Sequence, residues 1–478
     1  MFTMPRFNYK IEKVMAKLYV FGIGGTGARV LRSFTMMLAA GVKVGVDEVV
    51  PIIIDPDASN ADLTRTVALM NNYRAVRNEL SFSQSDETSF FRTELTQLLV
   101  NYTLRIQDTD DKTFQQFIDL PSMDKASQAM MRMLFSEKNL ASSMEVGFKG
   151  NPNIGSVVLN QIVNSNDFED FASNFDSGDK IFIISSIFGG TGASGFPLLL
   201  KTLRTGTSFS NNDIINNSEI GAITILPYFK LKSDDESEID SSTFISKTKS
   251  ALAYYENNIS RNGSINALYY LGDNMAGTYE NHEGGSAQQN DAHLIEFLAA
   301  TAIVDFSNKT HANISNKELG LQELTGSVTF DSFYDEQKRL LFAPLTEYML
   351  LTNCLNYKYD YYSSKSFAAN NENFNGLYST SFMSNLRSMT SSYLEWLREM
   401  EGNKRSLDLF NLDRKDKPFD VVTGISPKKI WSSKSDYDLV TDRLNSAIKK
   451  CHRQEDNNRF LEMFYLATSK LISEKFNV

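Results

Sequence analysis

Residues 17–27 read KLYVFGIGGTG, and residues 180–195 read KIFIISSIFGGTGASG. In both, an apolar run of strand length ends in a cluster of glycines that opens a helical pattern. Uninterrupted apolar strands are expected where helices cover both faces of a parallel sheet. Working outward from the first stretch, a helix pattern runs from about Ala28 to Ala40. The strand VDEVVPIIID follows and ends at Asp55. Around the second stretch, the helix pattern GFPLLLKTLR leads to the strand IGAITILPYF at 220–229. Next come the helix STFISKTKSALAYYENNI, the strand NALYYLG and the helix DAHLIEFLAATAIVDF. Strands alternating with helices predict an α/β, doubly wound, mostly parallel sheet.

Between these halves, residues 61–146 read as a mainly helical elaboration. FFRTELTQLLVNY and ASQAMMRMLF are its helix-like stretches, and Met130, Met131 and Met133 are read as core packing. Past residue 308 the pattern turns largely helical, with KRLLFAPLTEYMLLTNCL and a terminal NNRFLEMFYLATSKLISEKF. The expected division is therefore a sheet-bearing α/β domain over 1–308, for which the glycine loops below imply nucleotide binding, and a C-terminal, largely helical domain over 309–478.

The 478 residues carry 48 Lys+Arg against 58 Asp+Glu, a net charge of −10. An acidic chain is poorly suited to gripping a nucleic-acid backbone, so no direct nucleic acid is expected. No apolar run approaches the roughly 20 residues that span a bilayer, and no membrane association is expected. The two cysteines, Cys354 and Cys451, suit a reducing, cytoplasmic location. The four histidines have no metal-ligand spacing, and no metal site built from side chains is expected.

Glycines let a backbone approach an anion closely, and a helix N-terminus directs unpaired N–H groups and a positive dipole at it. Gly22-Ile23-Gly24-Gly25-Thr26-Gly27 satisfies the dinucleotide fingerprint GxGxxG, with Asp55 where a ribose-binding acid belongs. A nicotinamide dinucleotide has no need of the second cradle, Gly189-Gly190-Thr191-Gly192. The longer charged tail of a nucleoside triphosphate does. GxxxxGK[ST] is absent, so this is no P-loop.

The two glycine loops together resemble those of the tubulin/FtsZ superfamily. Two further segments extend the resemblance across about residues 17–305: Gly147-Phe148-Lys149-Gly150-Asn151-Pro152-Asn153-Ile154-Gly155, similar to that family's NP loop, and AITILPYF with Pro227. The resemblance implies a divergent bacterial tubulin-like protein with a core helix, binding GTP/GDP with Mg²⁺ and self-associating head to tail. By the same resemblance Gly22, Gly24, Gly25, Thr26 and Gly27 cradle the α and β phosphates. Gly189, Gly190, Thr191 and Gly192 wrap the phosphates. Gly150, Asn151 and Gly155 sense the γ-phosphate and magnesium, and Asn290-Asp291 reads the guanine edge. A carboxylate suits that last task because it accepts from both guanine donors. As a plain residue, Asp291 could equally cap the helix that follows.

The resemblance further implies that a loop of the adjacent subunit completes a GTPase site. Its closest counterpart is Gly326-Ser327-Val328-Thr329-Phe330-Asp331, with Asp335 and Glu336 beyond. A helical continuation would put Asp331 and Asp335 on one face. Three positions depart from the pattern: Arg29 replaces an asparagine, Phe188 a glycine, and Ser286 lies near the place of the base-stacking aromatic. The alternative is a non-polymerising nucleotide-binding scaffold or adaptor of a larger complex, with the C-terminal domain as its partner surface.

Overall fold

The computed structural model describes residues 16–57, 59–82, 89–109, 111–144, 148, 151–231, 244–273, 277–279, 285, 289–310, 317–319, 326–367, 372–428 and 434–476. Seven parallel strands form its main sheet: β1 (Lys17–Ile23), β2 (Glu48–Ile54), β3 (Glu94–Leu95), β4 (Lys180–Ser186), β5 (Glu219–Ile225), β6 (Ala267–Leu271) and β7 (Lys317–Leu319). Their order is β3-β2-β1-β4-β5-β6-β7. β1, β2, β4 and β5 are buried along all but their first residue, as strands covered on both faces must be.

The winding reverses between β1 and β4. The chain leaves β1 through helix α1 (Gly24–Ala39) towards β2, and leaves β4 through a second helix (Gly190–Thr205) towards β5 on the other side. Right-handed crossovers in opposite directions place those two helices on opposite faces of the sheet and open a crevice at its C-terminal edge.

Pro51 lies inside β2, where a missing N–H ought to break a ladder. Val49 and Ile53 direct their carbonyls to the outer side, accepting from Thr96 N at 2.9 Å and Leu104 N at 2.9 Å. In a parallel strand alternate residues face the same neighbour, so Pro51 also faces outward. It falls in the gap between the two-residue pairing with β3 and the isolated Ile53–Thr103 bridge. The proline occupies the one stretch of that edge where no partner asks for its hydrogen.

Further helices include α2 (Ala61–Arg77), α3 (Pro152–Leu159), α4 (Gly190–Thr205), α5 (Phe244–Tyr255), α6 (Leu294–Asn308), α7 (Asp335–Tyr357), α8 (Ser381–Gly402), α9 (Asp436–Ala447) and α10 (Asp456–Phe476). α6 is apolar almost all round, as a helix enclosed by neighbours should be. It lies against α1 and the sheet, α8 packs on α2, and α7, α8 and α10 pack together. One continuous apolar core runs from Leu18 in β1 to Phe476 in α10. Trp396 of α8 is fully buried and donates its indole N–H to Ser33 Oγ of α1 at 3.2 Å. The helical character expected after residue 308 is present. The last strand of the sheet, β7, nevertheless comes from beyond that residue.

The stretch between β2 and β4 departs from expectation in two ways. FFRTELTQLLVNY is not helical: it holds the short β3 and one 3-10 turn, with Phe91, Asn101 and Tyr102 at positive φ. Its apolar residues reach the core from an irregular path, with Phe90, Phe91 and Tyr102 fully buried. ASQAMMRMLF does form a helix, Lys125–Leu134, but buries none of its residues. Met133 is 87% exposed and Met130 53%, so these two are not core packing, whereas the half-buried Met131 does pack against the core. The neighbouring Phe114, Phe135, Leu140 and Met144 supply that core instead.

Gly22 and Gly27 fix the distance between β1 and α1. A Cβ on Gly27 would overlap the Gly22 backbone, and one on Gly22 would lie 2.9 Å from Leu31 Cδ1. Gly27→Ala is expected to cost about 1–3 kcal/mol, the scale of an overpacked core, read as a lower urea midpoint with an unchanged slope.

Candidate functional site

Both glycine loops lie in the crevice at the reversal point. Gly22 belongs to β1, while Gly24, Gly25 and Gly27 are part of α1 itself, which starts at Gly24 rather than at Ala28. Gly24 adopts φ +71°, a left-handed conformation that glycine alone enters without cost. A Cβ on Gly24 would lie 3.5 Å from Thr191 Cβ and 3.9 Å from Gly192 N, so the two loops face each other at contact distance. Gly192 cannot carry a side chain either, because its Cβ would meet Ser186 O at 2.6 Å.

The N-termini of these two helices are alike. α1 follows Ile23 and α4 follows Gly189; neither has a side-chain cap, and neither carries an acid in its first turn. α2 and α6, by contrast, are capped. Asn60 Oδ1 accepts from Asp62 N at 2.8 Å and Leu63 N at 3.3 Å, and His293 Nδ1 accepts from Ile295 N at 3.0 Å. Two adjacent helix N-termini thus keep unsatisfied N–H groups and unopposed positive dipoles on one crevice. The half-buried hydroxyls of Thr26 and Thr191 sit in these same first turns.

The third loop closes on the second. Asn151 starts α3, donating its N–H to Phe148 O at 2.7 Å, and Gly155 N donates to Asn151 O at 3.2 Å. A Cβ on Gly155 would collide with Ser194 Oγ and lie 3.1 Å from Gly190 O, which seats α3 on the first turn of α4. Gly150 lies outside the described residues.

Asp55 directly follows β2 beside this crevice, 7% exposed, with Oδ1 accepting from Asp57 N at 3.0 Å. Burial pushes its carboxyl up to about 7, against the downward pull of that hydrogen bond. Asp57 ties down the loop that follows. Its Oδ1 accepts from Ser59 Oγ at 2.8 Å and its Oδ2 from Gly285 N at 2.7 Å.

The place implied for a base edge holds a buried ion network. Arg29, 8% exposed, donates from Nε to Glu296 at 2.5 Å, from one terminal nitrogen to Asp62 at 3.3 Å and from the other to Tyr228 Oη at 2.9 Å. Asp62 also accepts from Asn290 Nδ2 at 2.7 Å and from Asn290 N at 3.1 Å. Arg65 pairs with Asp62 at 2.9 Å and Glu399 at 2.9 Å and donates to Asn290 O. Arg32 holds Glu399 with two nitrogens, at 2.6 and 3.3 Å, and Glu399 accepts from Ala292 N at 2.8 Å. Burial lifts the Glu296 carboxyl above its ordinary value, while Arg29 pulls it down. Burial, then Arg29, pushes His293 down to about 3, so its ring is neutral and caps α6 as an acceptor.

Asp291 is exposed and does not cap α6; His293 does, in a capping box with Glu296. Sequence reading marked Arg29 only as a departure and missed Asp62, Arg65, Glu296 and Glu399. A lone charge in a helical pattern reads as solvated surface. The one available signal was Glu296, a charge in the middle of the apolar run LIEFLAATAIV.

The acidic loop lies in the C-terminal part. Val328 bridges Leu407, and Phe330–Ser332 form a single 3-10 turn. Phe333 and Tyr334 are extended before α7 begins at Asp335, so Asp331 and Asp335 do not share a helix face. Asp331, Asp335 and Glu336 are all exposed, and Asp331 pairs with Lys338 at 3.2 Å. Among the described residues no His, Cys, Asp and Glu cluster could hold a metal, and no helix is long and apolar enough to cross a membrane.

No protein-family model matches the sequence, and no curated protein matches it. Among solved structures, the chain is similar to CetZ2 from Haloferax volcanii, described as a GTPgS bound protofilament. The identity is 13% over 61% of this chain and 58% of that one, with a TM-score of 0.29. It is also similar to CetZ1 from Haloferax volcanii, a GDP bound monomer, at 14% identity over 54% of this chain and 51% of that one, TM-score 0.27. CetZ from Methanosaeta thermophila follows at 15% identity over 54% and 46%, TM-score 0.24. The matches span about half the length of these chains.

Two measurements test the site's electrostatics. Glu296→Ala removes the closest acceptor of a buried guanidinium and is expected to cost about 3 kcal/mol or more in urea unfolding. For Asp55, the folded carboxyl holds its proton to about 7 while the unfolded one releases it near the ordinary 3.8. Its contribution to stability is therefore greatest below that lower value and falls as pH rises through the upper one. Asp55→Asn is expected to flatten the decline in thermal midpoint between pH 4 and 7.

Proposed function

We propose that the chain binds a nucleoside triphosphate, GTP with Mg²⁺, across its paired glycine loops and self-associates head to tail, in the manner of the tubulin/FtsZ superfamily. The carrying observation is the pair of uncapped helix N-termini, α1 and α4, facing one another where the sheet reverses. Backbone N–H groups of Gly24, Gly25, Thr26 and Gly27 would receive one part of the phosphate chain, and those of Gly190, Thr191 and Gly192 the other. Magnesium would neutralise charge on the phosphates, with Asn151 and the hydroxyls of Thr26 and Thr191 to help seat it. A ligand of one phosphate would use one helix end only; a triphosphate engages both.

Hydrolysis, in this reading, comes from assembly. Asp331, Asp335 and Glu336 are exposed, hence available to a neighbouring molecule, and the Asp331–Lys338 pair would open as the neighbour docks. A shared site of this kind makes turnover per subunit rise with protein concentration. Phosphate release is measured over a range of protein concentrations with GTP and ATP in parallel, alongside sedimentation. The expected result is a threshold concentration above which GTP turnover per subunit climbs and protein pellets. Asp331→Ala is expected to lower that turnover at least about tenfold while leaving nucleotide affinity unchanged. Tight binding with flat, near-zero turnover and no pelleting would replace the filament with the adaptor reading.

A further inference from the structure

Resting on that reading, the question becomes where the base of the nucleotide goes. The wedge between α1, α2 and the start of α6 is closed. Arg29 fills it with all three nitrogens engaged, and the side-chain amide of Asn290 is given to Asp62. Directly beside it is an open cleft of 420 Å³ between α2 and α8, within the range of roughly 300–1,000 Å³ typical of small-molecule pockets. Ser59 and Ala61 form one end of it. Between them sits Asn60, whose amide nitrogen would be 3.7 Å from a Cβ on Gly25. The phosphate cradle and the cleft therefore meet at the N-terminus of α2, as the two ends of one nucleotide require.

We propose that the base lies in this cleft, stacked on the Arg65 guanidinium and read at its edge by the Glu395 carboxylate of α8. Arg65 has both terminal nitrogens tied, to Asp62, Glu399 and Asn290 O, which fixes the guanidinium plane and leaves the flat face as its contact surface. Leu69 and Ala68 supply apolar wall on the same helix. Glu395 lines the opposite side and makes no ion pair among the described residues, in contrast to Glu399 one turn on. A free carboxylate accepts from both the ring N–H and the exocyclic amine of guanine. Adenine presents one donor beside a ring acceptor, which faces a carboxylate oxygen unfavourably. The cleft thus makes the chain guanine-selective through a residue of its C-terminal part.

Equilibrium affinities for GTP, ATP and inorganic tripolyphosphate are measured for the native chain, Ala68→Trp and Glu395→Gln, with folding checked by circular dichroism. Ala68 is exposed on α2, so the tryptophan fills the cleft without entering the core. GTP is expected to weaken about tenfold or more in Ala68→Trp, with tripolyphosphate unchanged. Glu395→Gln is expected to lower the GTP-to-ATP preference about tenfold, again with tripolyphosphate unchanged. Native GTP affinity in Ala68→Trp, or a native GTP-to-ATP ratio in Glu395→Gln, overturns the assignment and leaves the phosphate site standing. A native chain that binds neither GTP nor tripolyphosphate overturns the phosphate reading itself, and this inference with it.

Discussion

A buried guanidinium is costly unless acceptors surround it, and Arg29 sits where that cost organises the molecule. Its three acceptors come from α6, α2 and the segment after β5, and the shared carboxylates pass the demand on to Arg65, Asn290 and, through Glu399, to Arg32. Each charge is satisfied only if its neighbours are in register. The helix that opens at the first glycine loop, the helix that caps the core and a helix from the C-terminal part are thereby held as a set. The glycine loops can leave their N–H groups open because the network, and not a local cap, positions α1.

Much of the architecture was legible beforehand. Strands such as VVPIII and KIFIISS announce themselves by unbroken apolar character, and both glycine clusters mark the strand-to-helix junctions at the reversal point. Where reading failed, periodicity had competed with something it does not encode. FFRTELTQLLVNY has helical spacing, but its apolar side chains are delivered to the core by an irregular path with three residues at positive φ. The helix Lys125–Leu134 has the right pattern and the wrong destination, because a pattern says which face is apolar and not whether anything covers it.

The site divides along the same line. Phosphate loops are local in sequence, so Gly22–Gly27 and Gly189–Gly192 could be marked from spacing alone. The surroundings of α6 are assembled from four distant segments, with Arg29 and Glu296 separated by 267 positions and Arg32 and Glu399 by 367. No single-sequence signal links such pairs. The acidic loop is intermediate: its carboxylates were identified, but two extended residues, Phe333 and Tyr334, break the helix that would have aligned them.

Glu399 closes its two arginines from outside the sheet-bearing half, and this constrains how the gene can change. An isolated fragment ending near residue 308 would keep Arg32 and Arg65 without their shared carboxylate, and would strip Trp396 from Ser33. Loss of the acid at 399 removes the ion-pair partner of Arg32 and leaves Arg65 to Asp62 and Asn290 alone. Positions 32, 65 and 399 are therefore expected to drift together or not at all, and recombination that exchanges one half of this chain for a distant relative's should be rejected at that junction.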